Sequence, residues 1–442
     1  MRLSAVLLAL SGTLLLAGVA GVAGAGGSAQ ARFAPVKLYE AGREALSVVV
    51  ADLDGDGKPD LAAADSGSAS ISVFIATGEG AFEPNQDFET PIDPEAIAAG
   101  DLNGDGHVDL VTANYEAGNF SVLLNRGDGT FRVRHDYLAG KGPDAVAIGD
   151  LNGDGKPDVV IGNSDDNTVS VLLNHDDATF ENAKVLPTGQ DPLRVAIADL
   201  NGNGKPDLVT ADSDSATVSV LLGNGDGAFA PAVPYIVGTD PGWLAVGDLN
   251  GDGAPDVVSA NWLVDSVSVL LNNGDGTFKP SVDYETGRLP AEVVIGDLNG
   301  DGTPDVATAN SDDDAAAGMS VLRGLGDGSL APEREYRAGG GVISIALADL
   351  NGDGKLDAVT ASGNAVGVLL NSTGMCNVPA LRGLTLAAAK KALAGANCRL
   401  GKVGRAHSKV AAGHVSSQKP AAGTVRPAGA RIDLVVSLGR KR

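Results

Sequence analysis

A nine-residue acidic segment recurs seven times along the chain, and this repeat constrains the fold more than any other feature of the sequence. It reads DLDGDGKPD at its first occurrence and DLNGDGKPD, or a close variant, at the other six. The copies begin at intervals of 49 residues, except for a last interval of 52, at Asp52, Asp101, Asp150, Asp199, Asp248, Asp297 and Asp349. A fixed period of this length indicates one supersecondary unit that is copied along the chain and packed against its neighbours.

One period, residues 144–189, predicts four short strands. The apolar residues 145–149 lead into the acidic segment, and residues 158–162 follow it. Residues 168–173 alternate polar and apolar side chains, and residues 180–186 come last, after a tight turn. A small four-stranded sheet cannot bury both of its faces alone, so we expect an all-β fold, a seven-bladed β-propeller of four-stranded blades. A β-helix would need much shorter repeats.

The seventh copy lacks its last strand, because the repeat pattern stops at LLNSTG, residues 369–374. The N-terminal RFAPVKLYEAG, residues 32–42, matches the strand TFRVRHDYLAG at residues 130–140. We therefore expect residues near 33–39 to complete the seventh blade, which places the propeller at residues 32–374. This pairing would close the ring and remove an exposed sheet edge.

Oxygen donors recur at positions 1, 3, 5 and 9 of each acidic segment, and the Lys58 carbonyl is available at position 7 of the first. Gly57, at position 6, permits the sharp turn that brings alternate side chains together, as in calcium loops of the EF-hand type. Hard oxygen ligands favour calcium over zinc or copper, and magnesium demands a tighter octahedron. The predicted ligands are Asp52, Asp54, Asp56, Lys58, Asp60, Asp101, Asn103, Asp105, Asp109, Asp150, Asn152, Asp154, Asp158, Asp199, Asn201, Asn203, Asp207, Asp248, Asn250, Asp252, Asp256, Asp297, Asn299, Asp301, Asp305, Asp349, Asn351, Asp353 and Asp357.

An alternative is that Asp-Gly sequences serve only as turn formers. That alternative explains the Gly and Asp content but not an Asp at position 9 of all seven copies. The segment at Asp199 is the weakest candidate, because Asn203 replaces an acid there. Seven saturated ligand sets indicate structural ions, since a catalytic metal needs an open position. We therefore expect calcium-dependent folding.

A second candidate site lies at the opposite ends of the strands. Both Trp residues of the chain, Trp243 and Trp262, fall in the fifth copy, and Arg194 and Glu292 occupy equivalent positions in neighbouring copies. Aromatic side chains are enriched at binding surfaces, so we hypothesise a patch for a carbohydrate or a peptide. The alternative is that these Trp side chains only pack against the blades.

Catalysis finds little support in the sequence. It contains no G-x-S-x-G elbow, no H-E-x-x-H zinc motif and no P-loop, and the repeat already accounts for most paired carboxylates. We expect no catalytic residue and no cofactor other than calcium. An enzyme built on the propeller face remains the alternative, because propellers support many chemistries.

The N-terminus predicts an export signal. A basic Arg2 precedes an apolar run over residues 5–23, and Ala29-Gln30-Ala31 fits the small-x-small cleavage rule, so we expect a signal peptide over residues 1–31. An uncleaved membrane anchor is the alternative, because the run is almost long enough to span a bilayer. Export favours a disulfide between the only two cysteines, Cys376 and Cys398, over free thiols.

The C-terminal residues 376–442 differ sharply in charge from the rest of the chain. They hold 13 Lys and Arg but one acid, in a chain with 56 acidic and 32 basic residues overall. This change places a domain boundary near residues 373–375. Thr385 can cap a helix over residues 386–397, and three strands are expected near residues 398–404, 415–418 and 432–436.

The two parts of the chain resemble two known families. The acidic segments and their period resemble the FG-GAP/VCBS repeats of integrin-α-like propellers. This likeness implies a secreted or surface propeller with calcium in its loops and a role in adhesion or ligand binding. VPALRGLTLAAAKKAL, GKVG and VSSQKPAAGTVRPAGARIDLVVSLG, within residues 376–442, resemble a small α+β PASTA domain. That likeness implies a bacterial, extracellular setting and an association with peptidoglycan.

Together these features predict a secreted, calcium-binding, non-catalytic binding or adhesion protein. Its partner is expected to be peptidoglycan, or a surface glycan or protein, and the mature chain is expected to be a monomer without a membrane span. The net charge of −24 disfavours nucleic acid as a partner. A lectin, and a secreted polysaccharide hydrolase or lyase that uses the face opposite the calcium loops, are the alternatives.

Overall fold

The computed structural model describes residues 30–175, 177–312, 318–426 and 429–441. The predicted signal peptide therefore lies outside the described residues, apart from its last two. The described residues divide into two compact units: Pro35–Leu370 forms one, and residues 30–34 with Asn371–Arg442 belong to the other. This division lies within a few residues of the boundary expected from the change in charge.

The larger unit consists of four-stranded antiparallel sheets, and its described residues contain seven of them. In every sheet the strands lie side by side in the order first, second, third, fourth. The first strands are Ala45–Ala51, Pro94–Gly100, Pro143–Gly149, Pro192–Ala198, Pro241–Gly247, Pro290–Gly296 and Ser344–Ala348. The second strands are Asp60–Asp65, Asp109–Asn114, Asp158–Asn163, Asp207–Asp212, Asp256–Asn261, Asp305–Asn310 and Asp357–Ser362.

The third and fourth strands complete each sheet on its outer side. The third strands are Ser70–Phe74, Asn119–Leu123, Thr168–Leu172, Thr217–Leu221, Ser266–Leu270, Gly318–Leu322 and Ala365–Leu369. The fourth strands are Gln86–Glu89, His135–Leu138, Lys184–Pro187, Val233–Ile236, Val282–Glu285, Arg334–Arg337 and Lys37–Glu40. Short 3-10 turns follow four of the second strands, at Ser66–Ser68, Ser164–Asp166, Ser213–Ser215 and Trp262–Val264, and a small hairpin in the first sheet pairs Ala76–Gly78 with Ala81–Phe82.

The seven sheets form a closed ring. Each first strand packs against the first strand of the next sheet, and Ser344–Ala348 of the seventh sheet packs against Ala45–Ala51 of the first. Within the seventh sheet, the N-terminal strand Lys37–Glu40 pairs with the C-terminal Ala365–Leu369. The propeller architecture and the closing strand expected from the sequence are therefore confirmed.

Apolar packing between neighbouring sheets forms the core. The second strand Asp158–Asn163 is buried along its whole length, because each of its faces meets another sheet. The middle of such a strand is a continuous apolar run, VVIG at residues 159–162, instead of an alternating one. Side chains of the second and third sheets, among them Phe120 and Ile161, share one cluster.

A buried polar network lies inside each of the first six sheets, at the last residue of the second strand. In the second sheet this residue is Asn114, whose Nδ2 donates to Ser121 Oγ at 3.0 Å, and Ser121 in turn donates to Asp136 Oδ1 at 2.7 Å. The Asn114 amide and the Ser121 hydroxyl each donate to an acceptor, and the Asp136 carboxylate accepts. The network therefore satisfies polar atoms that water does not reach.

The first sheet has Asp65 at the equivalent position. Its carboxylate lacks the hydrogen-bond donors of the Asn amide. Ser72 Oγ lies 2.7 Å from Asp65 Oδ2 and 3.0 Å from Asp87 Oδ1, so one hydroxyl proton serves two carboxylates. Burial, the largest cause, raises the pKa of Asp65 to about 7, and the neighbouring charge of Asp87 adds to the shift. The ionised form of Asp65 is therefore unfavourable in the folded protein.

The smaller unit has the α+β composition expected of its sequence. Thr385 accepts a hydrogen bond from the Ala388 amide at 3.2 Å and caps the helix Leu386–Gly395. Arg399–Ala406 runs parallel to Arg431–Ser437, which pairs on its other side with the antiparallel Val415–Lys419. A two-stranded pair joins Cys376–Asn377 to Val425–Arg426, and the predicted disulfide between Cys376 and Cys398 is present. Within the described residues, no helix has the length and apolar character to cross a membrane.

Substituting Asp65→Asn should stabilise the protein at pH 8 by about 1–2 kcal/mol. The amide can donate to Ser72, which frees the hydroxyl proton for Asp87, as in the second sheet. The gain should shrink at pH 5, where Asp65 is protonated in the folded protein. Denaturant unfolding at both pH values measures it, and the reciprocal control Asn114→Asp should be more destabilising at pH 8 than at pH 5. A less stable Asp65→Asn protein at pH 8 would contradict this account.

Candidate metal centres in the repeat loops

Each acidic segment forms the loop between the first and second strands of its sheet. In the first sheet the loop follows Ala45–Ala51, and its ninth position, Asp60, is the first residue of the second strand. Asp52 and Asp54 are half-buried, whereas Asp60 is fully buried. The ninth carboxylate therefore lies under the loop, and the carboxylates at positions 1 and 3 lie between it and the solvent.

Carboxylates of the first loop accept hydrogen bonds from the loop's own backbone. Asp52 accepts from the amides of Gly55 and Gly57, both at 2.9 Å, and Asp54 accepts from the Asp56 amide at 3.0 Å. Gly57 has a φ of 83°, which confirms the sharp turn expected at position 6. The loop is thus folded around its acidic side chains.

The ninth carboxylate connects the loop to the rest of its sheet. Asp60 Oδ2 accepts from the Leu53 amide at 2.8 Å, and Oδ1 accepts from the Ala76 amide, just beyond the third strand, at 2.7 Å. Asp158 makes the same two contacts, with the amides of Leu151 and Asn174. The Asp at position 9 therefore joins the loop to its sheet whether or not a cation is bound. In the sequence, only the presence of Asp at this position in every copy pointed to this role.

Acidic side chains of the first loop converge on one point. Asp52, Asp54 and Asp60 each place an oxygen within 4.8 Å of the others, and this is the one such group of three among the described residues. Asp56 instead contacts the Lys58 ammonium and accepts from the Lys58 amide at 2.9 Å. Three of the four predicted side-chain ligands thus fit one cation, whereas Asp56 lies outside the cluster.

The other loops have Asn at position 3, which keeps the geometry but lowers the charge. In the second loop Asn103 Oδ1 accepts from the Asp105 amide at 2.9 Å, as Asp54 does in the first loop. In the fourth loop Asn201 Nδ2 donates to Asp207 at 3.1 Å, and Asn203 stands where the other loops have an acid. The first loop therefore fits a cation best and the fourth fits it least.

The first four loops are also held by the sheet that follows each of them in the chain. Asn125, at the end of the second sheet's third strand, donates from Nδ2 to the carbonyls of Leu53 and Val108, both at 2.8 Å. The Gly129 amide donates to the same Leu53 carbonyl at 3.0 Å. Equivalent Asn contacts join the second loop to the third sheet and the fourth loop to the fifth. Sequence reasoning missed this contact, although the recurring Leu-Leu-Asn before the hairpins marks it.

The buried position of the ninth carboxylate makes its ionised form costly. Burial raises the pKa of Asp109, Asp158 and Asp305 to about 6, and the acids at positions 1 and 5 add to the shift. The amides that bond to these carboxylates oppose it. A bound cation would favour the charged form, so the loops have the electrostatics of cation ligands.

The second candidate site differs from the exposed patch that the sequence suggested. Trp243, Arg194 and Glu292 lie on first strands, near the ends opposite the acidic loops, but all three side chains are buried. Trp262 is half-buried, and its Nε1 donates to Ser311 Oγ at 3.0 Å. The positions along the strands were therefore predicted correctly, but Trp243 is not an exposed stacking platform, because its first strand is enclosed between two other sheets.

Sequence reasoning also missed two acids beside these residues. Glu95 and Asp144 occupy the second position of the first strands Pro94–Gly100 and Pro143–Gly149, and both are buried. The signal available in the sequence was that the equivalent position is charged in only these two copies.

Comparison with known families agrees with the sheets and loops described above. The FG-GAP-like repeat matches residues 52–112, 101–161, 150–210, 199–259, 248–308 and 297–360, and the PASTA domain matches residues 377–438. No curated protein matches the chain.

Solved structures with a similar fold include β-propellers of diverse function. BBS1N in complex with ARL6DN has a TM-score of 0.55 and 12% identity over 76% of this chain and 96% of its own. A catalytically inactive virginiamycin B lyase from Staphylococcus aureus, with quinupristin, has a TM-score of 0.50 and 12% identity over 76% of this chain and 99% of its own. An Agrocybe aegerita lectin specific for non-reducing terminal N-acetylglucosamine has a TM-score of 0.46 and 22% identity over 68% of this chain and 80% of its own. At such identities the likeness concerns the fold alone.

The metal-free protein should lose stability as the pH rises from about 4 to about 7. Asp109, Asp158 and Asp305 have folded pKa values raised to about 6 from 3.8, so the folded state holds more protons than the unfolded state in this range. Exposed acids with lowered pKa values, such as Asp128 and Asp275, act only below that range. Urea unfolding in chelator across the range measures the slope, and a stability that rises with pH would contradict the assignment.

Proposed function

The chain belongs to the FG-GAP-like repeat family, and from this premise we propose that it is a secreted, calcium-stabilised binding protein without catalytic activity. Its PASTA domain, residues 377–438, associates with peptidoglycan in this proposal. The observation that carries the proposal is the recurrence of one acidic loop in every sheet of a closed ring. Such a ring is a rigid platform stabilised by ions, and such platforms serve recognition.

Calcium is supported by the chemistry of the loops. Asp52, Asp54 and Asp60 converge within 4.8 Å, and the donors of all seven loops are oxygen atoms. Extracellular calcium modules bind with dissociation constants of about 0.1–1 mM, so millimolar calcium stabilises each occupied site by about 0.4–1.4 kcal/mol. Summed over seven loops, this is comparable to the stability of a whole domain.

Export is supported by the two ends of the chain. The apolar residues 5–23 and the Ala29-Gln30-Ala31 sequence have the pattern of a cleaved signal peptide. The disulfide between Cys376 and Cys398 is of a kind that persists in oxidising compartments. Both features suit a protein that acts outside the cytoplasm, where calcium is abundant enough to fill weak sites.

The association with the cell wall rests on the charge of the PASTA domain as well as on its family. The strand Arg399–Ala406 exposes Arg399, Lys402 and Arg405 to solvent. Screened attraction would hold this basic surface near anionic wall polymers, although a charged face is also a common way to stay in solution. The acidic propeller, in contrast, is repelled by such polymers, so the proposal assigns anchoring to the small domain.

Replacing calcium with a chelator should lower the melting temperature of the propeller by about 4–14 °C, given the summed stabilisation of about 3–10 kcal/mol and the unfolding entropy of a unit of this size. Differential scanning calorimetry in calcium, in chelator and in magnesium measures the shift. Magnesium should restore little of the loss, because it demands a tighter octahedron. Equal melting temperatures in calcium and in chelator would remove calcium from the proposal.

The full-length protein should sediment with purified bacterial cell wall, and raised salt should release it. Replacing Arg399, Lys402 and Arg405 with Glu should abolish sedimentation, because this reverses the local charge. Matched exposed positions on the propeller, Arg132, Lys141 and Lys279, replaced with Glu, should leave it unchanged. No sedimentation, or sedimentation that neither salt nor the first variant affects, would argue against anchoring by this surface.

A further inference from the structure

Five side chains on consecutive first strands form a buried, mostly charged cluster, which we call the inner-strand cluster. Its members are Glu95, Asp144, Arg194, Trp243 and Glu292, from the second to the sixth sheet. They are 6%, 0%, 0%, 1% and 1% exposed. Because the acidic loops lie at the other ends of these strands, the cluster is separate from the candidate metal centres.

Arg194 carries hydrogen-bond donors that its surroundings do not use. Its Nη2 lies 3.8 Å from Glu292 Oε1, which is too long for a hydrogen bond, and its Cζ lies 5.1 Å from the centre of the Trp243 ring. Its Nε, Nη1 and Nη2 have no hydrogen-bond partner among the described residues. An unfilled buried donor costs about 1–3 kcal/mol, and more when it is charged, so this guanidinium needs an acceptor.

Glu292 is already engaged by other groups. Its Oε2 accepts from the Ile345 amide at 2.7 Å. Burial, the largest cause, raises the pKa of Glu292 to about 7, and the charge of Arg194 and a hydrogen bond from the Ser344 side chain oppose the shift. Glu292 therefore balances part of the charge of Arg194 without satisfying its donors.

Two buried acids lie on the other side of the cluster. Glu95 and Asp144 occupy the same position of neighbouring first strands, and Glu95 Oε2 has no hydrogen-bond partner among the described residues. Burial raises the pKa of Glu95 to about 10, and the charge of Asp144 adds to the shift, so Glu95 keeps its proton at neutral pH unless a positive group lies beside it. The charge of Asp144 acts on both Arg194 and Glu95, and a positive group beside Glu95 would offset the repulsion between these two acids.

We propose that the inner-strand cluster binds a small α-amino acid as its zwitterion. The ligand carboxylate accepts hydrogen bonds from the guanidinium of Arg194, a geometry that suits two parallel bonds. The ligand ammonium donates to Glu95 and lies beside Asp144. Water can also donate and accept, but it carries no charge, whereas a zwitterion offers a carboxylate to Arg194 and an ammonium to the two acids at once. Glu95 is the most exposed member of the cluster, so the ligand enters at its side.

The test is isothermal titration of full-length protein, in calcium, with glycine, methylamine and acetate. Glycine should bind at one site per chain and at least about tenfold more tightly than methylamine or acetate, each of which matches one half of the cluster. Arg194→Met and Glu95→Gln should each weaken glycine binding at least about tenfold. Arg288→Met removes an exposed guanidinium that pairs with Asp312, and it should leave glycine binding unchanged.

Glycine binding no tighter than that of acetate or methylamine would overturn the proposal. So would glycine binding that survives both substitutions in the cluster, or a crystal grown with glycine that shows ordered water only at Arg194. Should Arg194→Met fail to fold, the Glu95→Gln variant and the comparison of glycine, methylamine and acetate are sufficient to test whether the cluster binds a zwitterion. Because the test does not involve the PASTA domain or the acidic loops, its failure leaves the proposed function untouched.

Discussion

The hydrogen bonds of the buried aspartate at the start of each second strand hold the acidic loops and the sheets together. In the first sheet Asp60 bonds to the amide of Leu53 in its own loop and to the amide of Ala76 beyond the third strand. The Leu53 carbonyl, in turn, accepts from Asn125 and Gly129 of the next sheet. One carboxylate therefore fixes the shape of a loop, ties that loop to its sheet and presents it to its neighbour.

Burying this carboxylate costs electrostatic free energy, and each sheet of the ring buries one. Burial beside other acids raises the pKa of ninth-position carboxylates such as Asp109 and Asp158 to about 6, so ionising them in the folded protein costs free energy. A divalent cation offsets the cost, because it favours the charged form and orders the half-exposed acids above it. Backbone amides already hold the loops in shape, so ion binding and sheet packing would stabilise the same conformation. The weaker fourth loop, with Asn201 and Asn203, depends more on its amides.

The repeat made the sheets, their strand order and the closing strand predictable, because features copied seven times stand out against residues that vary. Features confined to single copies were not predictable. The side chains of Arg194 and Trp243 were placed at the correct ends of their strands, but their burial depends on packing against sheets that the local pattern does not describe. Each of these first strands also has an irregular register at its start, between Pro192 and Arg194 in the fourth sheet. Because of this irregularity, the position of a residue in the sequence does not predict which face of the sheet its side chain occupies.

The strand Lys37–Glu40 pairs with Ala365–Leu369, so the seventh sheet joins residues from opposite ends of the propeller sequence. A ribosome completes six sheets before it makes the partner of that N-terminal strand. Until then the first strand Ala45–Ala51 lacks the sheet that covers one of its sides. The ring therefore closes only after synthesis has passed Leu369, and the growing chain carries an open seam that chaperones or premature self-association can reach.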